Sequence, residues 1–213
     1  MNEINYKQHW ETVYTNKPFN ELGWYEKEST PSLELIQSLN LPKDAKIINV
    51  GVGASTIVQD LIKLGYTNIA ANDISSKALA VLENQLDVKD KHKVVFIEDD
   101  LTNSNQIGNF APFDIWHDRA VLHFFNSDAD KVDYVTLLKK VLKPNAFAII
   151  ATFHTDGALK CSGLELTRYD ENTLQELLGL DFKLVKFFNY EYTMPSGENR
   201  LYIYTLFQYC PNT

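Results

Sequence analysis

The sequence predicts an α/β fold: a doubly wound, seven-stranded, mainly parallel sheet that ends in an antiparallel hairpin. Three observations carry this expectation. From residue 31 onward, short apolar runs alternate with amphipathic helical runs, the pattern of βαβ units. The first apolar run leads through Gly51-Val52-Gly53 directly into a helical segment. The last two strand-like runs are separated only by Met194-Pro195-Ser196-Gly197-Glu198-Asn199, too short for a helical crossover, so they must pair antiparallel.

In chain order, residues 31–39 read as a helix, with Thr30 as N-cap and Pro31 at the first helical position. Residues 46–50 form a buried strand and 55–64 a helix closed by Gly65. A second strand over 68–72 leads to a helix over 76–86, for which Ser75 is a good N-cap. Strands follow at 94–97 and 113–117, then a helix over 128–142 stopped by Pro144. A fifth strand at 147–152, a helix at 171–178 and strands at 182–190 and 201–208 complete the chain. Residues 1–30 lack a regular pattern and concentrate His9, Trp10, Tyr14, Phe19, Trp24 and Tyr25.

At 213 residues the chain suits one domain over 1–213, with 1–30 as an N-terminal aromatic lid or cap. Hydrophobic residues make up 45% and charged residues 23%, an ordinary globular balance. The start of the chain has no secretory pattern, and Cys161 and Cys210 lie far apart. Reduced thiols in a cytoplasmic protein, monomer or homodimer, are the expectation. A run of apolar residues long enough to span a bilayer is absent, so no membrane partner is expected. The net charge of −8 repels phosphate backbones and disfavours nucleic acid, while a cationic small molecule or a basic protein segment suits it better.

The glycine turn gives these expectations chemical content. Glycines between a strand and a helix let a ligand approach the backbone closely. Asp73 stands at the end of the second strand, where a carboxylate can accept hydrogen bonds from ribose hydroxyls or cap the following helix. A dinucleotide site calls for a third glycine at position 56, which Thr56 occupies. Glu98-Asp99-Asp100-Leu101 ends the third strand with acids able to accept adenine amino hydrogens, or simply to sit in a solvated loop. S-adenosylmethionine, which has no pyrophosphate, fits these residues better than a nicotinamide dinucleotide. His117 and His123 lack the spacing of a zinc pair, and either could be a structural histidine or a general base.

With these residues in place, the chain resembles the class I S-adenosylmethionine-dependent methyltransferases over nearly its whole length. The resemblance rests on Val50-Gly51-Val52-Gly53, Asp73, Asp100-Leu101 and the terminal hairpin. His9-Trp10-Glu11-Thr12-Val13-Tyr14, Trp24-Tyr25 and Trp116-His117-Asp118-Arg119-Ala120-Val121-Leu122-His123-Phe124 are similar to a bacterial branch of that family. It implies the class I methyltransferase fold, with Asn49, Gly51, Val52 and Gly53 around the methionine portion of the cofactor. Asp73 and Ile74 would meet the ribose, and Asp100 and Leu101 the adenine. Asp118 would stand at the lip of strand four near the amino end of the methionine and the acceptor, with Asp118 or His123 as base. The family usually has Asp or Glu where this chain has Asn49, which implies a weaker hold on a cationic cofactor. Trp24 would close over the cofactor or pack the N-terminal segment onto the sheet. The expected activity is methyl transfer to a nitrogen or oxygen of a small molecule or a protein lysine. A non-catalytic cofactor-binding relative and a nicotinamide oxidoreductase are the alternatives.

Overall fold

A computed structural model of the chain describes residues 5–211. Helix α1 (Tyr6–Asn16) and a 3-10 turn (Phe19–Glu21) precede α2 (Thr30–Ser38). The alternating body follows as β1 (Ile47–Val50), α3 (Ile57–Lys63), β2 (Ile69–Asp73), α4 (Ser76–Gln85), β3 (Val94–Glu98), β4 (Phe113–Arg119), α5 (Asp128–Val141) and β5 (Leu142–Phe153). A two-stranded hairpin of β6 (Lys160–Cys161) and β7 (Leu164–Glu165) leads to α6 (Glu171–Leu178), β8 (Phe182–Thr193) and β9 (Asn199–Tyr209).

Seven strands form one sheet in the order β3-β2-β1-β4-β5-β9-β8. The first five pair parallel, and β9 runs antiparallel to both β5 and β8. The expected fold class is therefore the observed one. Successive strand residues point to opposite faces, which splits the core into two layers. Ile48, Trp116, Ile150 and Phe207 pack on one face with Tyr134 and Leu138 of α5. Their neighbours Ile47, Ile115, Ile149 and Leu206 pack on the other with Val58 and Leu61 of α3.

Several boundaries depart from expectation. Helix α2 starts one residue early, at Thr30; its N-cap is Ser29, whose side chain bonds the Thr56 hydroxyl instead of capping. Pro144 does not separate helix from strand: β5 begins at Leu142, and the extra residues form a bulge opposite Asp114. The hairpin β6–β7 is built on a turn with Ser162 and Gly163 both at positive φ (51° and 81°), a conformation that a two-residue hairpin demands. The N-terminal segment, irregular to the eye, contains the eleven-residue α1, with Asn5 accepting from the Gln8 amide as N-cap.

Candidate active site

The C-terminal ends of β1, β2, β3 and β4 open into a cavity of about 790 Å³, part of it open to solvent. Its floor is backbone held in place by buried carboxylates. After β1, Gly51 and Gly53 adopt positive φ (52° and 55°). A Cβ on Gly51 would run into the Val121 side chain, and one on Gly53 into the Tyr14 hydroxyl. The turn is thus closed to any other residue on two grounds, conformation and space. The Val52 amide donates to the Asn72 carbonyl (2.9 Å), which pins the turn to the end of β2.

Asp73 fastens this floor. One carboxylate oxygen accepts from the Gly53 amide and the other from the Ser75 amide, each at 2.8 Å. Burial pushes its carboxyl up to about 6, against the pull of the Ser75 and Gly53 amides. Ser75 then caps α4 by accepting from the Ala78 amide, as expected. Asp73 thus braces the entry to α4 through Ser75, and both Asp73 and Ile74 line the cavity.

The two acids after β3 divide the labour. Asp99 is consumed by its own loop, accepting from the Ser104 hydroxyl (2.7 Å) and the amides of Gln106 (2.9 Å) and Ile107 (3.0 Å). Burial would raise its carboxyl, but those hydrogen bonds hold it below the usual carboxylate range. Asp100 spends one oxygen on the amide and hydroxyl of Thr102 (2.9 and 2.8 Å) and lines the cavity with Leu101. Asn72 braces the two strand ends by donating to the carbonyls of Ile97 and Asp99, both at 3.1 Å.

Beside the floor lies a smaller cavity, reached past Gly51 and lined by Asn49, Glu26, Ser29 and His117. Asn49 is 1% exposed, and both its amide nitrogen and its oxygen lack a hydrogen-bond partner among the described residues. An orphaned amide at this depth costs about 1–3 kcal/mol and is a standing demand for a polar ligand. Val52 lines this smaller cavity rather than the main one. His117 is spoken for by the Ser32 hydroxyl (2.8 Å), and burial pushes it down to about 3.

The roof is aromatic. Trp10 and Tyr14 of α1, Trp24, and Phe124 from the turn after β4 line the cavity together. Trp10 meets Trp24 edge-on at 5.5 Å and Phe124 at 5.1 Å, and Tyr14 meets Trp24 at 6.2 Å. Helix α1 has no residue buried in the core, so these ring contacts and a set of polar contacts hold it down. Glu11 accepts from the hydroxyls of Ser75 and Ser76 (3.1 Å each) at the start of α4, and the Tyr6 hydroxyl donates to the Phe124 carbonyl (2.9 Å). Lys7 pairs with Glu98 at the end of β3.

Arg119, which nothing in the sequence singles out, is the central latch. Its guanidinium pairs with buried Glu26 (3.0 Å), donates to the Trp24 carbonyl (3.0 Å) and to the Tyr204 hydroxyl (3.0 Å). It also lies over the rings of Tyr192 and Tyr202, 5.1 Å from each centroid. The Tyr192 hydroxyl in turn donates to the Tyr25 carbonyl. Strand β4 and the final hairpin thereby hold the N-terminal segment across the cavity.

Two expected site residues need correction. Asp118 is not at the lip: it is fully buried, and its carboxylate accepts from the Tyr134 hydroxyl (2.8 Å) and the amides of Val121 (3.0 Å) and Leu122 (3.2 Å). Burial pushes it up to about 7. The reason is alternation: neighbours on a strand face opposite sides, so the cavity receives Arg119 instead. His123 is likewise fully buried, stacked on Phe153 with ring centroids 4.8 Å apart, and pushed by burial down to about 3. It stands outside the lining of the cavity, where Phe124 and Phe125 take its place. Among the described residues no group of three His, Cys, Asp or Glu side chains could hold a metal ion, and no helix is long and apolar enough to cross a membrane.

Comparison with known proteins supplies an independent line. Residues 41–200 match the model of a methyltransferase-domain family. The EEF1A lysine methyltransferase 2 of Danio rerio is 25% identical over 164 residues, which cover 70% of this chain and 69% of that protein. In fold the chain is similar to an S-adenosylmethionine-dependent methyltransferase from Anabaena variabilis, with a TM-score of 0.78 at 13% identity, covering 97% of this chain and 96% of that one. It is also similar to the N-methyltransferase NodS from Bradyrhizobium japonicum, solved with S-adenosylhomocysteine, with a TM-score of 0.70 at 13% identity over 95% and 97% of the two chains.

Proposed function

The chain belongs to the methyltransferase-domain family and is a class I S-adenosylmethionine-dependent methyltransferase; on that premise we propose that it methylates the side-chain amine of a lysine in a protein.

The residues present fit the cofactor. Gly51 brings bare backbone to the cavity wall in a turn where neither it nor Gly53 leaves room for a Cβ, and Asn49 offers an orphaned buried amide beside it. In this reading Asn49 and the glycine backbone hold the methionine portion. Asp73, with Ile74 beside it, takes the ribose hydroxyls. Asp100 and the Leu101 amide hold the adenine. When bound, S-adenosylmethionine supplies a methyl group already activated by the adjoining sulfonium. The protein's task is then alignment and exclusion of water.

One observation favours a nitrogen acceptor: among the described residues, the roof side of the cavity presents no carboxylate or imidazole base. Tyr6, Trp10, Tyr14, Trp24, Val121, Phe124, Phe125 and Cys161 line it without a carboxylate or an imidazole, and burial pushes the Cys161 thiol up to about 11. An oxygen acceptor benefits from a positioned base, whereas an amine needs only to arrive unprotonated. Apolar aromatic walls disfavour the ammonium form of a lysine, and the nearby Arg119 guanidinium acts in the same direction. The lysine methyltransferase activity named for the relative from Danio rerio supports this choice of acceptor.

The test is transfer of labelled methyl from S-adenosylmethionine to an elongation factor 1A-type protein and to a version of it with every lysine amine chemically blocked. Label located by mass spectrometry on a lysine, stable to mild base and absent from the blocked protein, is the expected result. Label confined to base-labile esters, or transfer only to small metabolites, would overturn the proposal, and binding of the cofactor without any turnover would indicate a non-catalytic relative.

A further inference from the structure

A second groove opens on the far side of Trp24. It encloses about 1370 Å³, part of it open to solvent, between the outer side of α1, the hairpin β6–β7 and the loop joining β8 to β9. Trp24 and Cys161 belong to the lining of both this groove and the main cavity, so the two spaces meet at those side chains. Its charge is at odds with the rest of the molecule. The chain carries a net charge of −8, yet the groove is lined by Lys17, Lys160 and Arg200 with no carboxylate among the described residues that line it.

The nearby acids do not reverse this. Arg200 pairs with Glu198 at 2.7 Å and Lys160 with Glu165 at 3.6 Å, but the two glutamates are 62% and 80% exposed and stand outside the lining. Surface pairs of this kind are weak and readily exchanged for another carboxylate. The buried ring nitrogen Nε2 of His9, also in the groove wall, has no hydrogen-bond partner among the described residues.

We propose that this groove seats the stretch of acceptor protein flanking the target lysine and selects acidic residues there. The inference rests on the lysine reading above. It also accounts for how an acidic enzyme discriminates among lysines. The overall negative field draws basic surfaces without distinction, whereas a local cluster of three cations rewards a glutamate or aspartate placed next to the lysine. Basic flanks meet like charge and are rejected, while neutral flanks gain nothing from the cluster.

The experiment uses fluorescently labelled peptides with one lysine flanked on both sides by glutamate, by glutamine or by arginine. Each is titrated with the full chain in the presence of S-adenosylhomocysteine, and methyl transfer to each is measured separately. The glutamate-flanked peptide is expected to bind about fivefold to tenfold more tightly than the glutamine-flanked one, with the advantage shrinking as salt is raised. In the double variant Lys17→Glu, Lys160→Glu the order should reverse in favour of the arginine-flanked peptide, while affinity for S-adenosylhomocysteine stays unchanged as evidence of folding. Equal binding of the three peptides, or a preference untouched by the double variant, overturns the groove proposal. Preferential binding of the acidic peptide without methylation of its lysine would leave the groove standing and overturn the lysine reading. Methylation without charge preference would do the reverse.

Discussion

The floor and the roof of the same cavity are built by opposite means. The floor is backbone, fixed by Asp73, which ties the Gly53 amide of the glycine turn to the Ser75 amide of its own, and by Asp99, which accepts from its own loop, and it is backed by a sheet buried on both faces. The roof is side chain, the four aromatic rings of Tyr6, Trp10, Tyr14 and Trp24 on a segment with few buried residues, held through Arg119, Glu11, Lys7 and Tyr6. A floor of this kind is preorganised and changes little when a ligand arrives. If the cavity admits a cofactor and an acceptor as proposed above, a roof fastened at a few points is the part of the molecule suited to open and close around them.

The comparison is broken most severely at Arg119. Arg119→Ala leaves Glu26 buried without its counter-charge and frees the Trp24 carbonyl, and it should lower stability by about 3–5 kcal/mol in denaturant titrations. If the roof is a separately fastened unit, part of that loss will register as protection lost from amide exchange in α1 before the sheet unfolds.

Asp73→Ala attacks the floor. It should weaken S-adenosylhomocysteine binding about 100-fold by calorimetry, with Asp73→Asn intermediate because its amide oxygen still accepts. The wild-type carboxyl stands at about 6, so its charged form prevails above that pH and is lost below it. Affinity should accordingly hold at pH 7 to 8 and decline as pH falls through about 6, and Asp73→Asn should abolish that decline.

Trp24→Ala removes one roof ring while leaving the floor intact. A threefold to tenfold rise in KM for S-adenosylmethionine, about the size of one cation–π contact, is the expected steady-state outcome. Unchanged KM together with unchanged thermal stability would deny the ring any role in closing the cavity. Glu11→Ala should be gentler still, costing about 0.5–1 kcal/mol through the lost contacts at the start of α4, and should show as faster proteolytic nicking near α1.

The same division decides what could be read from the chain alone. The sheet, its terminal hairpin, the glycine turn and Asp73 are local patterns: alternation, spacing and turn chemistry within a few residues of one another. Arg119 has no such signal. An arginine at the end of a strand reads as a solvated lip, and its burial follows from Glu26 and Trp24, the latter ninety-five residues away in sequence. Asp118, placed at the lip by the family resemblance alone, shows how little margin alternation leaves, because one step along β4 exchanges a cavity-facing residue for one locked against Tyr134. The position of α1 was hidden for a related reason. Its apolar face is made of aromatics that meet other aromatics across the cavity, so the helix buries nothing in the sheet's core and leaves no clean stripe.

The polar fastening of the roof also gives the molecule two different responses to temperature. The sheet is stabilised by buried apolar area, whose contribution weakens on cooling. Hydrogen bonds and ion pairs expose little apolar surface when they part, so opening the latch around Arg119 carries a small heat-capacity change and an enthalpy that hardly varies. On cooling, the apolar stabilisation of the sheet weakens while the enthalpy of parting the latch stays nearly constant, so the two parts of the molecule answer temperature differently.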